Sequence, residues 1–436
     1  YMELSQNSLE KEWTFLRKLL FRISAIYFFF LFEPWNFLQA IPGSNYILHY
    51  WLALLESVVQ LLNKHLLHIK EELIYPNGSG DTSFGWAQQF SIILVALLGG
   101  FLWAILDRKT KRFEKWEYWL RILVRYSLAM IAMSYGVLKV FPLQMPYPLL
   151  SQMATPLGDF LPMRFSWMFI GYSHPYETFS GILEVLTALF LFNRKTVNIG
   201  IFMACGVFLN VMMLNLCYDI PVKIYSMNLF LASIFLLLHD VKRMLAFFVL
   251  NQPVESNQSW EWMANKKWKK IGRWVLKLAF FVVIMVIPFY QAYDSYQQEK
   301  NIAIFKPLPT GIYDVISFVR NNDTVPALIS DTIRWQNLIM EQGHLGSVGS
   351  KDKQFRQLYG RGYFNLQEDS TSKQLEFRKS KSDSLPFARF KYRMADSSIY
   401  LWGKFQADSI HLILKKSKRH FQLSENQFHW LSEANR

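Results

Sequence analysis

The chain has 436 residues, of which 52% are hydrophobic, 17% aromatic and only 18% charged, at a mean hydropathy of +0.10. With 37 Phe, 21 Tyr and 15 Trp to bury, intrinsic disorder is excluded, and the balance points to a lipid-embedded part diluted by a sizeable water-soluble one. The net charge of +14 does not indicate nucleic acid, because Lys and Arg fall in short clusters beside apolar runs, as topology determinants do.

The first apolar run, Leu19 to Phe32, ends in Glu33-Pro34 without a small-residue cleavage pattern and reads as an uncleaved insertion signal. Seven stretches approach the roughly 20 apolar residues that cross a bilayer: about 18–40, 87–106, 118–140, 176–193, 197–217, 222–239 and 272–291. The clusters at Arg17-Lys18, Arg108-Lys109, Arg194-Lys195, Lys242-Arg243 and Lys266-Lys267 assign the N-terminus, 107–117, 194–196 and 240–271 to the cytoplasm. Segments 41–86, 141–175 and 218–221, and everything after 292, then lie outside. Residues 45–70 are apolar but interrupted by His49, Glu56, Lys64, His65, His68 and Lys70. With Leu52, Leu55, Val59 and Leu62 at helical spacing, they predict an amphipathic helix on the outer leaflet or the bundle. Lys242 to Leu250 predicts a second, shorter interfacial helix.

After Tyr290 a period of two replaces the long apolar runs. Leu375 with Phe377, Phe390 with Tyr392 and Met394, Ile399 with Leu401, Gly403 and Phe405, and Leu412 with Leu414 alternate with polar neighbours. With Ile312 to Val319, Thr332 to Met340, Gly362 to Leu366 and Phe421 to Leu423, about eight strands result, with Trp335, Trp402 and Trp430 expected inside. The fold expected is a polytopic α-helical membrane bundle followed by an extracytoplasmic antiparallel β-barrel or sandwich. Its parts are 1–117 with two spans and the outer amphipathic helix, a core at 118–250, a loop and seventh span at 251–299, and the β-domain at 300–436.

Ionisable groups inside spans are costly and mark candidate sites. Arg125, Lys139 and Glu184 are the plainest. Tyr135 and Lys139 share a helix face at i, i+4, as do Glu177 and Glu184 at i, i+7. Together with Gln144, Asn210, Asn215, Asp219 and Lys223 they define a candidate polar pocket in the outer half of the bundle. A Lys–carboxylate pair that only fixes helix register is the alternative. Asp81, Thr82 or Ser83 is expected to cap the second span. Cys205 and Cys217, about 18 Å apart along a helix, form no disulfide, and the nine His offer no intramembrane haem pair, so no metal is expected.

The stretch Arg121-x-x-x-Arg125, Tyr135-Gly136-x-x-Lys139 and then Gly181-x-x-Glu184 resembles the DoxX-like (DoxD-like) family of bacterial integral membrane proteins, over about 120–240. In that family an Arg and a Gly-x-x-Lys mark the first core helix and a Glu the second. The chain departs from it by two N-terminal spans, a seventh span and the β-domain. The resemblance implies an inner-membrane location and, through a branch engaged in thiosulfate:quinone oxidoreduction, a link to quinone. Two functions stay open. One is a non-catalytic envelope protein that anchors the outer β-domain, contacts lipid and binds a protein partner or lipid-like ligand without a cofactor. The other is a quinone-binding oxidoreductase subunit.

Overall fold

The computed structural model describes residues 12–36, 43–255, 266–301, 308–328, 331–353, 355–369, 372, 374–395, 398–426 and 428–431. The chain divides into two compact units, Tyr1–Gln144 with Pro175–Tyr293, and Met145–His174 with Asp294–Arg436.

The first unit is helical: α1 (Phe15–Phe32), α2 (Ser44–Leu62), α3 (Ser83–Leu106) and α4 (Glu114–Val140) precede the short α5 (Leu150–Met153) and α6 (Pro162–Tyr172) of the second unit. Then follow α7 (His174–Phe192), α8 (Val197–Cys217), α9 (Lys223–Phe248) and α10 (Lys267–Lys300), the last with a π-helical turn at Val282–Val286. Among the described residues six helices, α3, α4 and α7 to α10, are long and apolar enough to cross a membrane. Leu97, Leu98, Phe101, Leu102 and Ile105 lie exposed along α3, as side chains do when the outer solvent is lipid. The unit is that of a membrane-anchored protein. The first expected span, 18–40, coincides with α1, whose 18 residues carry Arg17, Lys18 and Arg22 and which is not among the six; residues 37–40 lie outside the described ones.

Two helices differ from expectation. The second interfacial helix at Lys242 to Leu250 does not exist separately, because α9 continues unbroken through His239 and Asp240 to Phe248. Neither Pro nor Gly interrupts it, and both polar residues turn toward neighbouring side chains within the unit. In α2, Leu48 and Val59 are buried, whereas Leu52 is exposed alongside Tyr46, Ile47 and Leu54, so its apolar surface is wider than one stripe.

The second unit is an antiparallel barrel. Its strands are β1 (Gly311–Arg320), β2 (Asp323–Thr324), β3 (Asn337–Met340), β4 (Leu345–Val348), β5 (Arg356–Leu358), β6 (Arg361–Asp369), β7 (Gln374–Arg378), β8 (Ala388–Ala395), β9 (Ser398–Phe405) and β10 (Asp408–Lys416). Eight of them pair in the circuit β1-β3-β4-β6-β7-β8-β9-β10, which the β10–β1 ladder closes from Tyr313↔Lys416 to Arg320↔Ile410. Alternating positions point inward and fill the interior: Trp335 stacks on Phe377 and meets Phe355, Phe390 and Phe405 edge-on or nearly so, and Phe364 stacks on Phe377 at 4.2 Å. Of the three tryptophans expected inside, only Trp335 is, at 1% exposure; Trp402 is 36% and Trp430 91% exposed. Trp402 takes the outward register of β9, and Trp430 follows the last strand.

Two strand expectations are corrected. Phe421 to Leu423 is not a strand: Gln422–Glu425 forms one helical turn beyond the closed circuit, where no partner edge remains. Thr332 to Met340 is extended in the sheet only from Asn337. Upstream, the Asp331 carboxylate accepts hydrogen bonds from the Ile333 and Arg334 amides, which bend the chain and hold its carboxyl below the usual carboxylate range.

The 145–174 segment belongs to this unit. Buried Glu341, just after β3, accepts hydrogen bonds from the Leu150 and Ser151 amides at 3.2 and 2.7 Å, and Arg164 donates to the Tyr359 hydroxyl at 2.8 Å. Close by, burial pushes the Arg361 guanidinium down to about 10; still charged at neutral pH, it donates to Ser347 and Asn337. Glu341→Ala removes two charge-assisted bonds, and we expect it to cost about 1.5–3 kcal/mol. Denaturant unfolding reads that loss, and limited proteolysis should open new cleavage sites between 145 and 174.

Candidate functional site

The helical unit buries a lysine and two carboxylates near one crossing. On α4 and α7 the order is Gly136-x-x-Lys139 and Gly181-x-x-Glu184, and each glycine faces the other helix's charged residue. A Cβ at Gly136 would stand 2.9 Å from the Glu184 Cβ, and one at Gly181 would stand 2.8 Å from the Lys139 Cβ and 2.6 Å from the Gly136 carbonyl oxygen. Only glycine permits that approach. Because the backbones touch, the Lys139 ammonium donates directly to Glu184 Oε1, with the two residues 7% and 3% exposed. The Thr178 hydroxyl donates to the Val140 carbonyl at 3.3 Å and fixes the same crossing. Glu184 Oε2 has no hydrogen-bond partner among the described residues, and Glu177, seven residues before on the same face, is fully buried. Chemically, this is a charged pair with spare acceptor capacity in an apolar surround, able to hold a polar head group or a proton.

Of the remaining candidates, Tyr135 adjoins Gly136 within electrostatic reach of Glu184, is partly exposed, and its ring lies 6.3 Å from that of Tyr225. Gln144 ends the first segment of the helical unit, and its side-chain oxygen is buried without a hydrogen-bond partner among the described residues. Asn210 is exposed on α8. Asn215, Asp219 and Lys223 form a structural turn between α8 and α9. Asn215 is buried and its amide reaches the Val222 carbonyl at 3.5 Å, while Asp219 pairs with Lys223 at 2.7 Å. Thr82 caps α3, as expected of the 81–83 group, whereas Asp81 caps a different helix by accepting from the Lys223 and Ile224 amides at 2.8 and 3.1 Å.

Two polar groups escaped the sequence reading. Tyr27, Gln89 and Asn228 join α1, α3 and α9 through mutual hydrogen bonds of 2.6–3.3 Å in the core. Arg121, next to Arg125 by one helical turn, meets His239 at 2.7 Å, whose other ring nitrogen lies 3.7 Å from Glu117, itself 3.4 Å from Arg17. The i, i+4 spacing of Glu117, Arg121 and Arg125 was the available signal; the partner on α9 was hidden because the span was cut at 239.

On the barrel, a surface depression of about 530 Å³ lies over β8 and β9, lined by Phe387, Arg389, Lys391, Trp402, Gly403 and Lys404 among others. Gly403, paired with inward-facing Phe390, borders it and lets β9 approach β8 closely, since a Cβ there would come within 2.0 Å of the Arg389 carbonyl oxygen. Arg389 stands opposite Lys404 across the strands, a like-charge pairing that is unfavourable by itself. Glu376 compensates in part by accepting from Arg389 at 3.0 Å and Arg378 at 2.5 Å. No group of three His, Cys, Asp or Glu able to hold a metal occurs among the described residues.

Comparison with known proteins finds one partial likeness. The chain is 33% identical to the uncharacterized protein YwoB of Bacillus subtilis (strain 168) over 93 residues, 21% of this chain and 60% of that protein. The chain therefore spans less than two thirds of the curated relative it matches. No family model and no solved structure matches the sequence.

Proposed function

We propose that this chain is a non-catalytic, multi-pass protein of the bacterial inner (cytoplasmic) membrane that presents a periplasmic β-barrel to an acidic envelope protein partner. The observation that carries the reading is the filled barrel. With Phe318, Trp335, Phe364, Phe377 and Phe390 packed inside, the described residues fill the barrel interior with apolar side chains, which favours recognition at the outer surface. The depression around Gly403, with three cations and Trp402, has the charge and the aromatic anchor such a partner needs. A photo-crosslinking residue at Gln406 in living cells should give one discrete adduct, abolished by Lys391→Glu with Lys404→Glu while the chain still accumulates. No adduct, or one indifferent to charge reversal, would remove the proposal.

The orientation rests on the basic clusters, with the N-terminus in the cytoplasm. In a chain with Cys205 and Cys217 replaced, single cysteines at Asn77 and Ser384 should react with an impermeant thiol reagent in intact spheroplasts. Reaction at both sites only after lysis would invert the topology.

The Lys139–Glu184 crossing favours a second reading, a lipid-like or quinone ligand held between helices, as in an oxidoreductase subunit of the DoxX-like kind that the Gly-x-x-Lys and Gly-x-x-Glu motifs resemble. Quinone extracted from the purified chain, and absent from Lys139→Met/Glu184→Gln, would support it. A double variant that keeps full function in a host requiring the protein would eliminate it.

A further inference from the structure

Near the start of α10, Lys270, Arg273 and Lys277 succeed one another at i, i+3 and i+7 and so form one stripe, flanked by Lys267 and Lys269 and preceded by Lys266 at the N-cap. No ion pair engages any of the six among the described residues, and no acidic residue occurs between 262 and 293 or between 185 and 218. The stripe runs into a groove of about 450 Å³ between α10 and the end of α7, lined by Phe192, Trp274, Val275, Lys277, Leu278 and Phe281. Every lining residue but Lys277 is apolar, and its ammonium lies 4.8 Å from the centre of the Phe192 ring. Exposed Trp274 at one end and exposed Tyr290 and Tyr293 at the other bracket the apolar stretch of α10, the placing of aromatic anchors at membrane–water boundaries. Lys277 thus sits just inside the boundary, with Arg273 and Lys270 above it and hydrocarbon-like walls below.

An unbalanced column of cations that leads into an apolar slot matches an amphiphile with an anionic head and an alkyl tail. We propose that this groove is a binding site for an anionic phospholipid, its phosphate held by Lys277 and Arg273 and one acyl chain lying along Phe192, Leu278 and Phe281. Cationic pockets between spanning helices select head groups in this way. The site shares no residue with the Lys139–Glu184 pair or with the depression on the barrel.

The test uses the full chain in nanodiscs of phosphatidylcholine with phosphatidylglycerol as a minor component, followed by native mass spectrometry of the lipid retained after detergent release. The parent chain should retain phosphatidylglycerol in preference to phosphatidylcholine, and phosphatidylglycerol should raise its melting temperature. Arg273→Gln/Lys277→Gln, both at exposed or half-exposed positions, should melt as the parent does in phosphatidylcholine alone and lose the preference by roughly tenfold or more. Leu278→Trp, which fills the slot and leaves every charge in place, should also lower retention. Equal retention of both lipids, or a preference unchanged in the two variants, would overturn the proposal. So would complete displacement by inorganic phosphate, since the acyl chain would then contribute nothing. A disulfide-linked dimer through a cysteine at Leu278 that persists in phosphatidylglycerol would assign the groove to a second copy instead.

Discussion

Replacing Lys139 alone with methionine will destabilise the helical unit by about 3–5 kcal/mol, the usual cost of leaving one partner of a buried ion pair unpaired. Glu184 would be left without its counter-charge at a crossing where Gly136 and Gly181 bring the two helix backbones into contact. Adding Glu184→Gln should return stability to within about 1 kcal/mol of the parent or above it, because removing both charges removes both desolvation costs. Unfolding in mixed micelles with increasing dodecyl sulfate, followed by circular dichroism, measures both variants. If the single and double variants unfold alike, the pair does not hold the crossing, and the glycines alone set it.

The second large effect is in the barrel. Trp335→Ala should cost about 3–5 kcal/mol, since the indole touches Phe318, Phe355, Phe377, Phe390 and Phe405, and the void it leaves is bounded on every side by strands that cannot close inward. Trp402→Ala, on the outer face of the same sheet, should stay within about 0.5 kcal/mol. Intrinsic fluorescence during urea unfolding separates the two; comparable losses would mean that Trp402 is covered in solution.

What was legible in the sequence follows from locality. Alternation over 388–414 announces β8, β9 and β10, because a small barrel fills its interior from every second residue. The same pattern over only three residues, Phe421 to Leu423, carries no such information. The alternation of Ile399, Leu401, Gly403 and Phe405 itself sets Trp402 outward, so expecting it inside went against the register, whereas Trp335 precedes β3 and lies outside any such run. Gly136-x-x-Lys139 and Gly181-x-x-Glu184 were legible as motifs, but the reciprocal fit of each glycine against the other's charge needs the crossing itself. The cap of α3 was legible within the Asp81, Thr82 and Ser83 group, and Thr82 supplies it, whereas the second duty of Asp81 was not, because the amides it serves lie 142 and 143 residues further on. Glu341 gave no signal, since an acid beside a strand becomes a clamp only when Ser151 is brought to it.

That clamp and the β10–β1 seam both join stretches of chain that are made far apart in time. Ser151 leaves the ribosome 190 residues ahead of Glu341, and the β1 residues about a hundred ahead of their β10 partners. At about 5–20 residues per second, the seam waits roughly 5–20 s for its second half and the clamp about twice as long. The helices α7 to α10 are made between the two pieces of the second unit, and once β9 is made it and β1 stand as open edges until β10 follows. A chain stopped before Asp408 never seals that seam, so even a short C-terminal truncation should leave an aggregating or degraded product instead of a smaller stable one.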